Sequence, residues 1–515
     1  LETNRSKAVK TSKKIAVGVL ITLGILALAL LILNNIAESK IKKSLEDNLK
    51  RARVDYKKVD VKLLARNAEI INPQFHFKNK SIKADTVELK DIHLWEYITH
   101  KNLIIDKVDI SNPVIKIYPA STSQKTDSSS AGKSKFKNHI LLKDLAIQNA
   151  VLTIFQKDTS SAKFHTRLTE VRMKDIDVNK TTAKKTIPFS YNLTLLKSDT
   201  LFLNLGKRHT LQLASLAIED SSLVVRDFRI IPKYDKEEFQ QHLQTEKDRY
   251  DLVIDSIILN DLDWKYENSK FEIKDRLTRI AGVDFKIYRD KLQPDDTTFK
   301  PMYSQMIRNL PIKLGMDSVV VRRMYLQYQE KLQNATQPGE LQFSNMNAEM
   351  ANITNIGLQR KDFPKTHIDV RTDFMKTAPV DVDWDFDISD KQDHFQISGS
   401  MGRLKAEQIN EFLKPAMNVV ASGEILDMYF NFYGDDENAN GDMRLEYKNF
   451  KVKVLQKKSR NKKEIISGLA NLLVNNKALN KEANYKDISV KRDKTRSFWN
   501  YFWKCIRSGA LKQFL

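Results

Sequence analysis

One cysteine, Cys505, stands in 515 residues. That excludes an internal disulfide framework and a multi-cysteine zinc site. Glycine and tryptophan are also scarce, at 15 and 5 residues. A β-propeller usually repeats a Gly or Trp signature in each blade, so this composition disfavours one. The nine histidines are scattered, with no His-x-x-x-His pair. There is no P-loop and no dinucleotide fingerprint. Gly399-Ser400-Met401-Gly402 lacks the Gly-x-Ser-x-Gly spacing of a nucleophile elbow. With no convergent set of polar groups, the expectation is no catalytic residue, no metal and no cofactor.

Two acidic stretches invite a calcium reading. Asp381, Asp383, Asp385 and Asp387 alternate with Val382, Trp384 and Phe386. That alternation reads first as a strand with a solvated outer face and a packed inner one. Asp436-x-Asn438-x-Asn440-Gly441 begins like an EF-hand loop, but its twelfth position is Tyr447 and Glu446 misses by one. Asn440-Gly441 between alternating runs is better read as a hairpin turn.

The formal charge is +21. It is concentrated: 451–515 holds 17 Lys/Arg against 4 Asp/Glu, which is +13 of the total. The excess therefore describes one tail, not a nucleic-acid face along the whole chain. In that tail Phe498, Trp499, Phe502, Trp503 and Ile506 fall at helical spacing, with Asn500, Lys504 and Arg507 opposite. Aromatic residues beside Lys and Arg suit a bilayer interface. An amphipathic helix capping the end of a sheet explains the same pattern, and both readings stand.

Ile15 to Leu33 carries no charge, and the uncharged run reaches Ala37. It is long enough to cross a bilayer as a helix. The competing reading is a cleaved signal peptide, but the run exceeds a usual signal core and no convincing small-x-small site follows it. An uncleaved anchor is expected. Basic residues are nearly balanced on its two sides, so orientation is taken from the short 14-residue segment before it and the large domain after it. The sequence opens on Leu1, and the initiator is expected upstream.

Beyond the anchor one phrase recurs. In Lys107 to Pro119 apolar residues alternate on both sides of Asn112-Pro113: Val108, Ile110, then Ile115, Ile117. The same spacing returns as Ala68, Ile70, Asn72-Pro73, Phe75, Phe77, and as Leu145, Ile147, Asn149, Leu152, Ile154. It returns again around Asp220, around Asp261 with Ile257, Leu259, Trp264 and Tyr266, and least faithfully around Arg323. Each copy reads as two short strands pivoting at a turn. Such a unit cannot bury its own apolar face and must stack on its neighbours. About 400 residues give about 25 strands, extending on the order of 120 Å at about 4.8 Å spacing. Asp109, Lys116, Asp263 and Lys265 fall on the opposite face. A second sheet or lipid acyl chains would cover the apolar one, and composition alone favours the second sheet.

The expected organisation is a short tail (1–14), a transmembrane helix (15–37), a helical stalk (38–53), a repetitive β-domain (54–455) and a basic region with amphipathic helices (456–515). Ala120 to Lys135 reads as a polar, low-complexity loop. Tyr234 to Tyr250, Met302 to Leu310, Glu464 to Val474 and Ser497 to Leu515 read as helices.

The segment DIHLWEYITHKNLIIDKVDISNPVIKIY (Asp91 to Tyr118) resembles the N-terminal repeat of AsmA-like envelope proteins, which also place one membrane helix before it. SGSMGRLKAEQINEFLKPAMNVVASGEI (Ser398 to Ile425) looks like the Gly-x-hydrophobic, Asn-x-Phe-Leu-x-Pro signature of the branch common in Bacteroidetes. RLEYKNFKVKVL (Arg444 to Leu455), RDKTRSFWNYFWKCIRSGALKQFL (Arg492 to Leu515), IPKYDKEEF and IYRDKLQP are similar to the same branch. The resemblance covers nearly the whole chain. It implies a mainly β protein, single-pass in the inner membrane, whose elongated antiparallel sheet curls into an apolar groove in the periplasm. It also implies phospholipid acyl chains as ligands, and a role in outer-membrane lipid homeostasis and assembly alongside outer-membrane or periplasmic assembly proteins. No nucleic acid is expected. The lipid-facing candidates are Ile70, Phe75, Phe77, Val108, Ile110, Ile115, Ile117, Ile147, Ile154, Leu259 and Trp264. An anchored, non-catalytic scaffold with a packed sheet is the alternative.

Overall fold

A computed structural model describes residues 52–514, apart from 63, 78, 120–138, 157–159, 183–188, 268–269, 333–334 and 456–485. The anchor, most of the stalk, the polar loop and the Glu464 to Val474 helix lie outside the described residues. Among those described, no helix is long and apolar enough to cross a membrane. The protein is mainly β, with 26 strands and five helices among the described residues. The helices are α1 (Leu94–His100), α2 (Lys236–Gln241), α3 (Tyr303–Arg308), α4 (Ala406–Met417) and α5 (Phe498–Phe514).

The recurring phrase has a backbone signature. All six pivot residues take left-handed φ: Asn72 (50°), Asn112 (51°), Asn149 (54°), Asp220 (50°), Asp261 (60°) and Arg323 (54°). Asn and Asp visit this region more readily than other non-glycine residues, because a short polar side chain bonds locally. The pivots are kinks and not reversals. The strand Ile140–Phe155 runs straight through Asn149. Its first half pairs with Leu103–Ser111 and its second with Val114–Ile117, both parallel. These phrases are thus strands bent at the middle, and in the first unit Asn72, Asn112 and Asn149 mark the line of the bend. Hydrogen bonds tie that line together: Asn112 donates to Asp85 (2.7 Å), and Asn149 donates to Asn112 (3.2 Å).

The pairing corrects the expectation of an antiparallel sheet. Most neighbours are antiparallel, but Lys270–Asp290 and Lys313–Lys331 also pair in parallel. Parallel partners need a crossover. The connection carrying α3 joins Lys270–Asp290 to Lys313–Lys331.

The described chain divides into two compact units. One holds the residues up to Asn204 with Gln212–Leu223; the other holds Leu205–Leu211 with Val224 onward. In the first, Val59, Ile70, Val87, Ile110, Ile147, Val171, Leu196 and Ile218 stand opposite one another in a single cross-strand row. Beyond the kinks, Val54, Phe75, Ile82, Ile115 and Leu152 form another. The two arms close on one core: Ile70, Val87 and Ile110 share a cluster with Phe75, Ile82 and Ile117. Further along the row, Leu196 and Ile218 are only half-buried.

Two shorter expectations need adjusting. The helix read over Tyr234 to Tyr250 is only α2, because Arg249 already begins a strand. Asn440-Gly441 is not a hairpin turn. The reversal comes earlier, where Asp435 accepts from the backbone N–H groups of Glu437 and Asn438. Gly441 lies inside the strand Asn438–Val454, where a Cβ would sit 2.0 Å from the Asn431 carbonyl oxygen.

Candidate functional site

The second unit carries an apolar face of its own. Its rows follow from the pairing register on each side of the kinks. Leu259, Thr278, Val319, Met350, Ile368, Trp384, Ile397 and Phe432 stand in one line across eight strands. Ile257, Ile280, Val321, Ala348, Val370 and Val382 form the adjacent line. Beyond the kink, Leu252, Phe285, Leu326, Phe343 and Phe374 form a third. A period of two puts the first two lines on one face. The kinks at Gly282, Arg323 and Asn345 shift the count by one, so Leu252, Phe285 and Met324 still share a cluster with Ile257, Ile280 and Val321. Ile257, Ile280, Phe285, Leu326, Phe343 and Met350 are only half-buried, so this apolar surface is not fully covered.

At the C-terminal end the same face is covered. α5 lies on Trp384, Phe395, Phe430 and Phe432: Phe498 stacks on Trp384 with centroids 4.6 Å apart, and Phe502 meets Phe430 edge-on at 5.4 Å. Phe498, Tyr501 and Cys505 are buried in that core. Burial pushes the Cys505 thiol up to about 12. α3 lies beside the helix, where the Trp499 indole N–H donates to the Tyr303 hydroxyl (2.9 Å). α3 is itself held by Arg308, which donates to the Ile388 and Asp390 carbonyls (2.7 and 2.6 Å) and pairs with Asp393.

A buried ionic clasp fixes the approach to α5. Arg496 pairs with Glu246 (2.5 Å) and with Asp295; Lys291 pairs with the same Glu246 (2.7 Å). Asp296 pairs with Lys300 (2.6 Å) and Lys247. Arg492, also buried, pairs with Asp436, which Lys494 shares at 2.8 Å. Burial opposes ionisation of Asp296, but hydrogen bonds from Lys247, Lys300 and Thr298 outweigh it and hold the carboxyl below the usual range. The clasp joins the segments IPKYDKEEF, IYRDKLQP and RDKTR: Lys236 sits over the Tyr288 ring (5.1 Å), and Arg289 grips Asp248 through two bonds (2.7 and 2.8 Å). The sequence reading singled out these segments without giving them a role. The one signal in the sequence was charge density in stretches otherwise poor in strand pattern.

The sequence-predicted residues divide by place. Ile70, Phe75, Val108, Ile110 and Ile117 are buried core of the first unit, and Phe77, Ile115, Ile147 and Ile154 pack against it half-buried. They belong to one hydrophobic cluster. In the second unit Leu259 is buried, and Trp264 is half-buried beside Phe271 at 6.0 Å. The aromatic set on α5 also splits. Phe498 is buried, while Phe502, Ile506, Lys504 and Arg507 are half-buried. Trp499 and Trp503 remain exposed, at 52% and 37%.

The polar face is as expected. Lys116, Asp263 and Lys265 are exposed, and Asp109 exchanges ion pairs with Lys90 (2.9 Å) and Lys107 (3.2 Å). The four alternating aspartates line the outer side of Ala378–Phe386 and its C-terminal extension, opposite buried Trp384 and Phe386. Asp385 pairs with His367 (2.9 Å), and Asp387 accepts from the Ser389 backbone N–H (2.7 Å). No family model matches this chain, and neither does any curated protein.

Proposed function

We propose that this chain is a membrane-anchored, lipid-handling protein of the AsmA-like kind. Its uncharged run Ile15 to Ala37 holds it in an inner membrane, and the β-domain works in the periplasm on phospholipid acyl chains, for outer-membrane lipid homeostasis and assembly. The observation that carries this reading is the row structure of the second unit. Apolar side chains align across many strands on one face, and Ile257, Ile280, Phe285, Leu326 and Phe343 keep partial exposure. A surface of this kind is costly in water and is usually functional. Acyl chains satisfy it without directional bonds. The chemistry asked of it is binding alone.

The first unit favours a second reading, a non-catalytic scaffold for outer-membrane biogenesis. There the two arms meet in a packed core, with Ile70 and Ile110 almost wholly buried. Photo-crosslinkers separate the readings. At Leu326 and Phe343 they should capture lipid, identified by mass spectrometry, and at Asp109 and Lys116 they should not. Equal labelling of both faces, or none on either, removes the lipid function. Reporter fusions at about residue 130 test the topology: a fusion active only in the cytoplasm overturns it.

A further inference from the structure

α5 differs from the other covering elements. It lies on the C-terminal continuation of the very rows that are half-open upstream. Trp384, Ile397 and Phe432 continue the Leu259–Val319–Met350 line, and α5 covers that continuation. Its seam is imperfect. Trp384 Nε1, Asn500 Oδ1, Tyr501 OH and Arg492 Nε are all buried there without a hydrogen-bond partner. Unpaired buried polar atoms offset much of what the aromatic contacts contribute. Ionic contacts are concentrated before the helix, where Arg492, Lys494 and Arg496 pin the approach. Along the helix itself the hold is packing of Cys505 and Gly509 on the sheet and one bond from Lys512 to the Asp487 carbonyl, and its outer flank shows Trp499 and Trp503 to solvent.

We propose that α5 is a displaceable cover, latched by the Arg492–Arg496 clasp, and that it lifts away when the latch releases and so lengthens the apolar face. The occupant that takes its place is a linear acyl chain, and this part rests on the lipid-binding reading above. In the closed state Phe498 and Phe502 stand where an acyl chain lies in the open one. Opening exposes Trp384, Ile397, Phe430 and Phe432 as a continuation of the upstream rows.

Cys505 reports on this directly, being the chain's single cysteine and buried on the inner face of the helix itself. The full chain, held in nanodiscs, is treated with N-ethylmaleimide across a urea series. Local lifting gives labelling that is nearly independent of low urea. Arg496→Gln and Arg496→Glu should speed it at least tenfold, while hydrogen exchange in Thr366–Phe374 and Ala378–Phe386 stays as in the parent. Oleate should speed it severalfold and saturably in the unaltered chain. Labelling that follows only the global unfolding of the sheet, or that Arg496→Gln leaves unchanged, overturns the cover. Local labelling that Arg496→Gln accelerates and oleate does not removes the acyl chain as occupant and keeps the cover, so the two readings fail separately.

Discussion

Truncating Ile110 and Leu326 should have opposite balances of stability and function. Ile110 is 2% exposed and stands between Val87 and Ile147 in the first unit's central row. Ile110→Ala removes three carbons, or roughly 2.4 kcal/mol at about 0.8 kcal/mol per methylene. The surrounding strands are hydrogen-bonded on both sides and cannot collapse into the gap, so a cavity contribution raises the cost to about 3–4 kcal/mol. Leu326 is half-buried on the partly open face, and Leu326→Ala should cost about 1 kcal/mol. Urea unfolding of the full chain measures this, with hydrogen exchange followed in Leu103–Ser111 and in Lys313–Lys331. Lipid capture is scored in parallel. Ile110→Ala should lower protection across the first unit, and Leu326→Ala should weaken lipid capture with little loss of protection. If Ile110→Ala costs under about 0.5 kcal/mol, the arms are not packed there, and the assignment of core and open face fails. Ile115, half-buried in the same core, gives a graded check: Ile115→Asp should cost roughly 2–4 kcal/mol.

Three further outcomes are expected. Asn112→Ala loses the bonds with Asp85 and Asn149 and must also hold φ 51° without an amide, so it should cost about 2–4 kcal/mol in a denaturant titration. Asn112→Gly keeps the backbone and should cost about 1 kcal/mol less; equal costs would show that the kink conformation is not what matters. Asp296 is depressed when folded, so its contribution is fully present above about 4, the unfolded carboxylate's range, and fades below it as pH falls through the lower folded pKa. Asp296→Asn should flatten that acid limb of the urea midpoint, and an unchanged limb refutes the clasp's role. Trp499→Glu with Trp503→Glu changes the two exposed aromatics and should weaken binding to anionic vesicles while the sheet stays folded by circular dichroism. Phe502→Glu should instead loosen α5 itself, since Phe502 meets Phe430 and Phe432. Vesicle binding that ignores the tryptophans rules out a membrane role for that flank.

The repeat was legible in the amino-acid sequence because it rests on local physics. Alternation by two sets which side chains share a face, and Asn or Asp at the pivot sets where the backbone can turn left-handed. Hence Ile70, Ile110 and Ile147 proved to be members of one row, and all six pivots proved to take left-handed φ. The inner and outer sides of Ala378–Phe386 were legible for the same reason. Three things depended on tertiary structure. Strand direction is not written in alternation, so the parallel pairs appeared only with the pairing register. Packed core and partly open face share one composition, and only burial in the fold separates Ile110 from half-buried Leu326. The clasp joins Glu246 to Arg496 across 250 positions. No local pattern encodes such a pair, because its energy comes from burial that the chain acquires only when the α5 segment docks on the sheet.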